Sequence, residues 1–208
     1  MPLYKSISVN SQTTVKIWKI EESYDTLFQP LDLKPQSLER ILGMKSELHQ
    51  RGFLSVRHLL REFGYTDKDL FYDDNGKPHL KDGKQISITH SFTFSGVIVS
   101  DKEVGIDIEK QRDKIKIIAH KFVDYEFSYL NSIDEDCIKR LTVIWGIKES
   151  LYKLFATPGM SFKKHFLVIP FSVEDRETIA WIDYMGQKHR YTTAFLEFEG
   201  FTCAYVVP

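Results

Sequence analysis

Between Asp134 and Phe155 the chain has no proline, and Leu141, Ile144, Trp145, Ile147, Leu151 and Leu154 recur at helical spacing. A long helix is therefore expected from about Asp134 to Phe155. Upstream, in Val104-Gly105-Ile106-Asp107-Ile108-Glu109, branched apolar residues alternate with Gly, Asp and Glu. That period of two is the signature of a strand.

On such a strand Asp107 and Glu109 point the same way, about 7 Å apart. Two carboxylates so placed repel unless solvent, a base or a metal lies between them, and a hard divalent cation is one resolution. A solvated face of an edge strand fits the same pattern. On the helix, steps of four residues put Trp145, Glu149 and Lys153 on one stripe. An isolated Glu149–Lys153 pair would be an ordinary surface ion pair worth about 0.3 kcal/mol. The indole one turn earlier argues instead that the stripe faces protein, where a half-buried pair needs a further partner. Three carboxylates and a lysine in apolar settings are the raw material of a magnesium-dependent phosphoryl-transfer site.

The strand Gly105-Ile106-Asp107-Ile108-Glu109 and the later Trp145-Gly146-Ile147-Lys148-Glu149-Ser150-Leu151-Tyr152-Lys153 strongly resemble the two signature motifs of the 4′-phosphopantetheinyl transferases, in their order and spacing. Asn75-Gly76-Lys77-Pro78-His79-Leu80 and Ser87-Ile88-Thr89-His90-Ser91 resemble the family's Gly-Lys-Pro and Ser-x-Ser-His-Ser elements, with Thr89 where a serine is more usual. A further departure lies in Ala156-Thr157-Pro158-Gly159-Met160-Ser161-Phe162, which has a single glycine where the family often shows a Gly-x-Gly loop; this leaves the conformation of loop 156–162 open. With 208 residues and one copy of each motif, the chain is similar to the Sfp type, a monomer of two similar α+β halves related by a pseudo-two-fold axis, rather than to the shorter holo-acyl-carrier-protein synthase type. The resemblance implies halves at 1–102 and 103–208, with the site at the cleft between them.

The implied reaction transfers the phosphopantetheine arm of coenzyme A to a serine of an apo acyl or peptidyl carrier protein and releases adenosine 3′,5′-bisphosphate, a holo-acyl-carrier-protein synthase activity. By resemblance, Asp107, Glu109 and Glu149 hold Mg2+ with pyrophosphate oxygens and water. Lys153 neutralises the pyrophosphate or protonates the leaving group, and Lys148 meets another phosphate oxygen or solvent. Glu149, directly or through a metal-bound water, is the first choice of base for the serine, with Glu109 behind it. For the rest of coenzyme A, His90 is expected at a phosphate, Arg57 at the 3′-phosphate with Arg51 as competitor, and Lys77 and Pro78 beside the adenine, although Asn75-Gly76 before Pro78 is also a plain turn signal. A carrier protein acidic around its serine calls for a basic, partly apolar dock, and Arg112, Lys114, Lys116 and Lys121 among Ile115, Ile117 and Ile118 supply one. The same stretch reads equally as an amphipathic helix with lysines outward. Two other readings stand beside the transferase: a metal-dependent nucleotide pyrophosphohydrolase, and a non-catalytic coenzyme A or carrier-binding protein. The full set of Asp107, Glu109, Glu149 and Lys153 weighs against the latter.

A net charge of −1 argues against general nucleic-acid binding. The amino terminus lacks a basic-then-apolar signal pattern and no apolar run is long enough to span a membrane, so a cytoplasmic protein is expected. Cys137 and Cys203 fall in a helix and a strand, where reduced, buried thiols are expected. Strands are expected near Thr14–Ile20, Ile86–Thr89, Gly96–Ser100 and Val104–Glu109, with a helical stretch from Gln36 to Phe63. Helices near Lys114–Phe122 and Tyr125–Asn131 should precede the long one. Strands near His165–Pro170, Thr178–Tyr184, His189–Phe198 and Phe201–Val206 should follow, with turns at Gly186-Gln187 and Glu199-Gly200. Strands with segregated helices make an α+β fold.

Overall fold

The computed structural model describes residues 3–131 and 133–207. The chain divides into two compact units, one ending at Glu103 and the other beginning at Val104. Both are mixed α+β.

In the first unit, strands β1 (Leu3–Asn10), β2 (Thr13–Lys19), β5 (Gln85–Ser91) and β6 (Phe94–Ser100) form an antiparallel sheet in the order β1-β2-β6-β5. A small hairpin, β3 (Leu70–Tyr72) with β4 (Pro78–Leu80), stands apart from it. Helices α1 (Tyr24–Phe28), α2 (Pro35–Leu42) and α3 (Glu47–Glu62) bury Leu27, Ile41, Leu54, Leu59 and Leu60 with Trp18, Ile20, Val97 and Val99 of the sheet. The helical stretch expected from Gln36 to Phe63 is thus two helices. Gly43 caps α2, and the Gln50 amide donates to the carbonyls of Ile41 and Met44, which the break leaves without helical partners. Gly52 stays inside α3 because the helix there lies against His90: a Cβ on it would sit 3.3 Å from the imidazole Cγ. Strand β1 was not among the expected strands. Its alternation is confined to Ile7 and Val9 and most of it is exposed, and it pairs with β2.

The second unit is a five-stranded antiparallel sheet in the order β7-β11-β10-β9-β8, made of β7 (Ile106–Lys110), β8 (Phe166–Val168), β9 (Glu177–Tyr184), β10 (Gln187–Phe198) and β11 (Phe201–Val207). The hairpin turns are Met185-Gly186, one residue before the expected position, and Glu199-Gly200; all four residues have positive φ, as two-residue hairpins of this twist require. Helix α5 (Cys137–Phe155) lies on one face of the sheet and buries Leu141, Ile144, Ile147, Leu151 and Leu154 against Phe166, Ile182, Phe195 and Val206. The expected helices ahead of it are shorter: α4 is Lys114–Ile118, followed by 3-10 turns at Ala119–Lys121 and Tyr125–Ser128. Cys137 and Cys203 are buried free thiols. Among the described residues no helix is long and apolar enough to cross a membrane.

After α5 the chain turns through Ala156, which takes the left-handed conformation (φ 48°) and donates its N–H to the Tyr152 carbonyl. The single glycine of the loop, Gly159, also has positive φ (83°). The helix sits unusually close to the sheet. A Cβ on Gly105 would lie 1.8 Å from the Ser150 carbonyl oxygen, and one on Gly146 would lie 3.2 Å from the Ala204 Cβ. The Ser150 hydroxyl is 2.7 Å from the Gly146 carbonyl and 3.0 Å from that of Ala204. Gly105→Ala should therefore force α5 away from the sheet at a cost of about 3 kcal/mol, read as a lower midpoint in urea unfolding. A midpoint equal to that of the parent would show that the contact is not constraining.

Candidate active site

The closeness of α5 brings the two signature motifs together. Strand β7 pairs with β11, where Asp107 faces Ala204 and Glu109 faces Thr202. It is not a solvated face: Asp107 is 5% exposed and Glu109 is half-buried. The Lys153 ammonium donates to Asp107 Oδ1 at 2.7 Å and to the Ile106 carbonyl at 3.0 Å. The Trp145 indole N–H donates to Glu109 Oε1 at 3.3 Å. The Trp145-Glu149-Lys153 stripe thus faces protein, and the further partner for its charges is on β7. Gly146 lies beside Asp107, whose Oδ2 would be 3.9 Å from a Cβ there, an ordinary contact distance. The Trp145 ring is itself held between Phe122 (5.0 Å between centroids) and Phe162 (5.3 Å, stacked).

Electrostatics follow from this crowding. Burial, then the negative charges of Asp107 and Glu109, push the Glu149 carboxyl up to about 7 against the opposing pull of Lys153. Glu109 is raised by burial and by Asp107, opposed by the Trp145 hydrogen bond and by Lys153 and Arg112. Both glutamates are thus made costlier to ionise by burial and by the neighbouring Asp107. Among the described residues no three His, Cys, Asp or Glu side chains are gathered into a ready metal cage. Asp107 is engaged by Lys153 and Glu109 by Trp145. The donor chemistry nevertheless fits a hard divalent cation: three carboxylates, all oxygen, whose mutual repulsion a cation would relieve. Side-chain rotation of the two glutamates toward Asp107 would be needed to complete the set.

Lys148 does not meet a phosphate or solvent. It is fully buried, donating to Glu126 Oε1 at 2.7 Å and to the Phe122 carbonyl at 2.6 Å. Burial lowers its pKa and the Glu126 charge opposes that shift. A step of one residue along a helix turns a side chain by about 100°, and here that turn points into the core. Glu126 gave no signal in the sequence, being one acidic residue among the aromatics Tyr125 and Phe127.

The proposed docking residues Arg112, Lys114, Lys116 and Lys121 are all exposed. Ile115 and Ile118 pack on the core while Ile117 remains 73% exposed, so α4 is both an amphipathic helix and a basic, partly apolar surface. Beside it a groove of about 190 Å³ is lined by Glu109, Lys110, Arg112, Lys114, Ile115 and Trp145, so it opens onto the carboxylate site.

In the first unit, His90 is exposed at the end of β5, its ring resting over Gly52 and 6.2 Å from that of His49. Arg57, expected at a phosphate, is 3% exposed. Its Nε is ion-paired with Asp67 Oδ1 at 3.0 Å, and its guanidinium stacks on Phe53 at 3.4 Å. It forms one wall of an open cleft of about 470 Å³ that Lys34, Arg40, Lys68, Tyr72 and Lys81 also line. The competitor Arg51 donates from Nη2 to the Ile20 carbonyl, and its buried Nε has no partner among the described residues. Lys77 and Pro78 close the β3–β4 turn, where Asp73 Oδ1 accepts from the backbone N–H groups of Asn75 and Lys77, and the Lys77 ammonium lies 3.7 Å from Glu103. The turn reading of that motif therefore holds.

Comparison with known proteins agrees with this geometry. A family model described as the 4′-phosphopantetheinyl transferase superfamily matches residues 103–206, which contain both motifs. The chain is 26% identical over 178 residues to 4′-phosphopantetheinyl transferase gsp of Aneurinibacillus migulanus, an alignment covering 82% of this chain and 73% of that protein. It is 28% identical over 128 residues to enterobactin synthase component D of Salmonella typhimurium, covering 56% of this chain and 52% of that one. With the β7 carboxylates and the α5 stripe facing each other inside the matched region, the chain belongs to the 4′-phosphopantetheinyl transferase superfamily.

Proposed function

We propose that the chain transfers the 4′-phosphopantetheine arm of coenzyme A to a serine hydroxyl of an apo carrier protein, releasing adenosine 3′,5′-bisphosphate. The observation that carries this reading is the gathering of buried Asp107 with half-buried Glu109, Glu149 and Lys153 across β7 and α5. Phosphoryl transfer is catalysed mainly by positioning and by neutralising charge on the phosphate oxygens. A magnesium ion held by Asp107, Glu109 and Glu149 would supply a Lewis acid for the pyrophosphate.

The remaining work falls to the chain's own groups. Lys153, anchored on the Ile106 carbonyl, brings a positive charge to the same pocket and is placed to stabilise or protonate the leaving phosphate. Glu149, poised near 7, is the first candidate to take the serine proton, with Glu109 second. Because Asp67 already occupies Arg57, Arg51 replaces it as first candidate for the 3′-phosphate of coenzyme A, with His90 kept at a phosphate. Lys77 and Pro78 are retained beside the adenine. The exposed basic residues of 112–121 are proposed to receive the acidic carrier, next to the groove that opens on Glu109. The finer assignment, a holo-acyl-carrier-protein synthase working as a monomer in the cytoplasm, follows from the same reading.

The test is intact mass spectrometry of apo carrier proteins of the fatty-acid and peptide-synthesis kinds, incubated with the chain, coenzyme A and magnesium. A gain of one phosphopantetheine, lost in EDTA and lost in Asp107→Ala, is expected. Release of phosphopantetheine without carrier modification would replace the transferase with a pyrophosphohydrolase, and wild-type turnover by Asp107→Ala would move the metal site elsewhere.

A pH dependence also follows. Folding raises the Glu149 carboxyl from 4.5 to about 7, so the folded, metal-free chain holds its proton more tightly than the unfolded one. That contribution to stability is fully present below 4.5 and is lost as pH rises through about 7. Glu149→Gln lacks it, so the melting temperature of the metal-free wild type should fall relative to that of the variant across this window. Parallel curves would mean that Glu149 is not perturbed.

A further inference from the structure

The Glu126–Lys148 pair lies outside the carboxylate constellation, and the proposed reaction assigns it no step. Both side chains are fully buried in the core of the second unit. Besides the Lys148 ammonium, Glu126 Oε1 accepts the Val168 backbone N–H at 2.9 Å, and Oε2 accepts that of Asp124 at 3.2 Å. One carboxylate thus joins three pieces of chain: α5, strand β8 and the segment that leads on from the basic helix α4.

The position of Lys148 on α5 gives this junction its consequence. At about 100° per residue, Gly146 and Ser150 lie nearly opposite Lys148 around the helix axis, and Trp145, Glu149 and Lys153 lie between. Gly146 and Ser150 are pressed on the sheet at Ala204, and Lys148 is tied to Glu126 and the Phe122 carbonyl. The helix is held on both flanks of the stripe that carries the chemistry. A buried ion pair is seldom more stabilising than apolar residues of equal volume, so stability alone gives little reason for one here.

We propose that Glu126 and Lys148 are positioning residues for the transferase site, a buried clamp that fixes the rotation of α5 so that Trp145, Glu149 and Lys153 face Asp107 and Glu109. This rests on the transferase reading only for its kinetic consequence; the geometric claim stands apart from it.

The experiment replaces the pair with apolar residues, Glu126→Leu with Lys148→Met, in the full chain. The Trp145 indole N–H, assigned by Trp145→Phe and donated to Glu109, reports the orientation of the stripe by 1H–15N NMR. The expected result is a melting temperature at or above that of the parent, a shifted or broadened indole resonance, and a kcat lower by about tenfold with KM for coenzyme A within about twofold. An unmoved indole resonance with wild-type kcat in a folded double variant would overturn the proposal. Should the double variant not fold, Glu126→Asp keeps the charge and withdraws the carboxylate by one methylene. It is expected to move the indole resonance and lower kcat in the same direction, and its failure to do either overturns the proposal equally. If the wild type transfers nothing, the function fails while the indole resonance still decides the clamp.

Discussion

A side chain on Gly105 would collide with the Ser150 carbonyl, and one on Gly146 would press on Ala204. Those two absences let α5 lie directly on β7 and β11, and the rest of the site depends on that contact. Across that contact the Lys153 ammonium meets Asp107 Oδ1 at 2.7 Å and the Trp145 indole meets Glu109. The Ser150 hydroxyl, seated between the Gly146 and Ala204 carbonyls, holds the approach at its centre. Nineteen residues of helix thereby act as a rigid bar presenting one stripe to one strand.

The same contact creates an electrostatic problem and the means of solving it. Pressing an apolar helix on β7 brings three carboxylates near one another, and burial together with the charge of Asp107 makes both glutamates costlier to ionise. Lys153 offsets part of this. What remains is a set of oxygen donors whose repulsion a cation would relieve, which is why the proposed reaction places the magnesium and the base here. Folding on its own would be better served by apolar residues, so the arrangement reads as chemistry built at some expense of stability.

Much of this was legible in the sequence because periodicity encodes it. Alternation in Val104–Glu109 put Asp107 and Glu109 on one face, and steps of four put Trp145, Glu149 and Lys153 on another. Which residue each charge would meet was not encoded locally: Lys153 turned to Asp107 rather than Glu149, Lys148 turned inward to Glu126, and Arg57 to Asp67. Those partners lie far along the chain or in segments without periodicity, and only packing brings them together. The breaks in helical expectation have local causes that pattern alone underweights, Gly43 ending α2 being the clearest. Strand β1 shows the converse, a strand whose alternation at Ile7 and Val9 is too short to stand out and which pairs with β2.

The central claim is that the carboxylates gathered by α5 and β7 form an incomplete cation site that a pyrophosphate completes. Calorimetric titration of magnesium into the chain, with and without saturating coenzyme A, tests it most directly. The account predicts weak or no binding to the chain alone, one magnesium bound per chain with coenzyme A present, and loss of that binding in Asp107→Ala. Absence of magnesium binding in the presence of bound coenzyme A, or binding unaffected by Asp107→Ala, would contradict it.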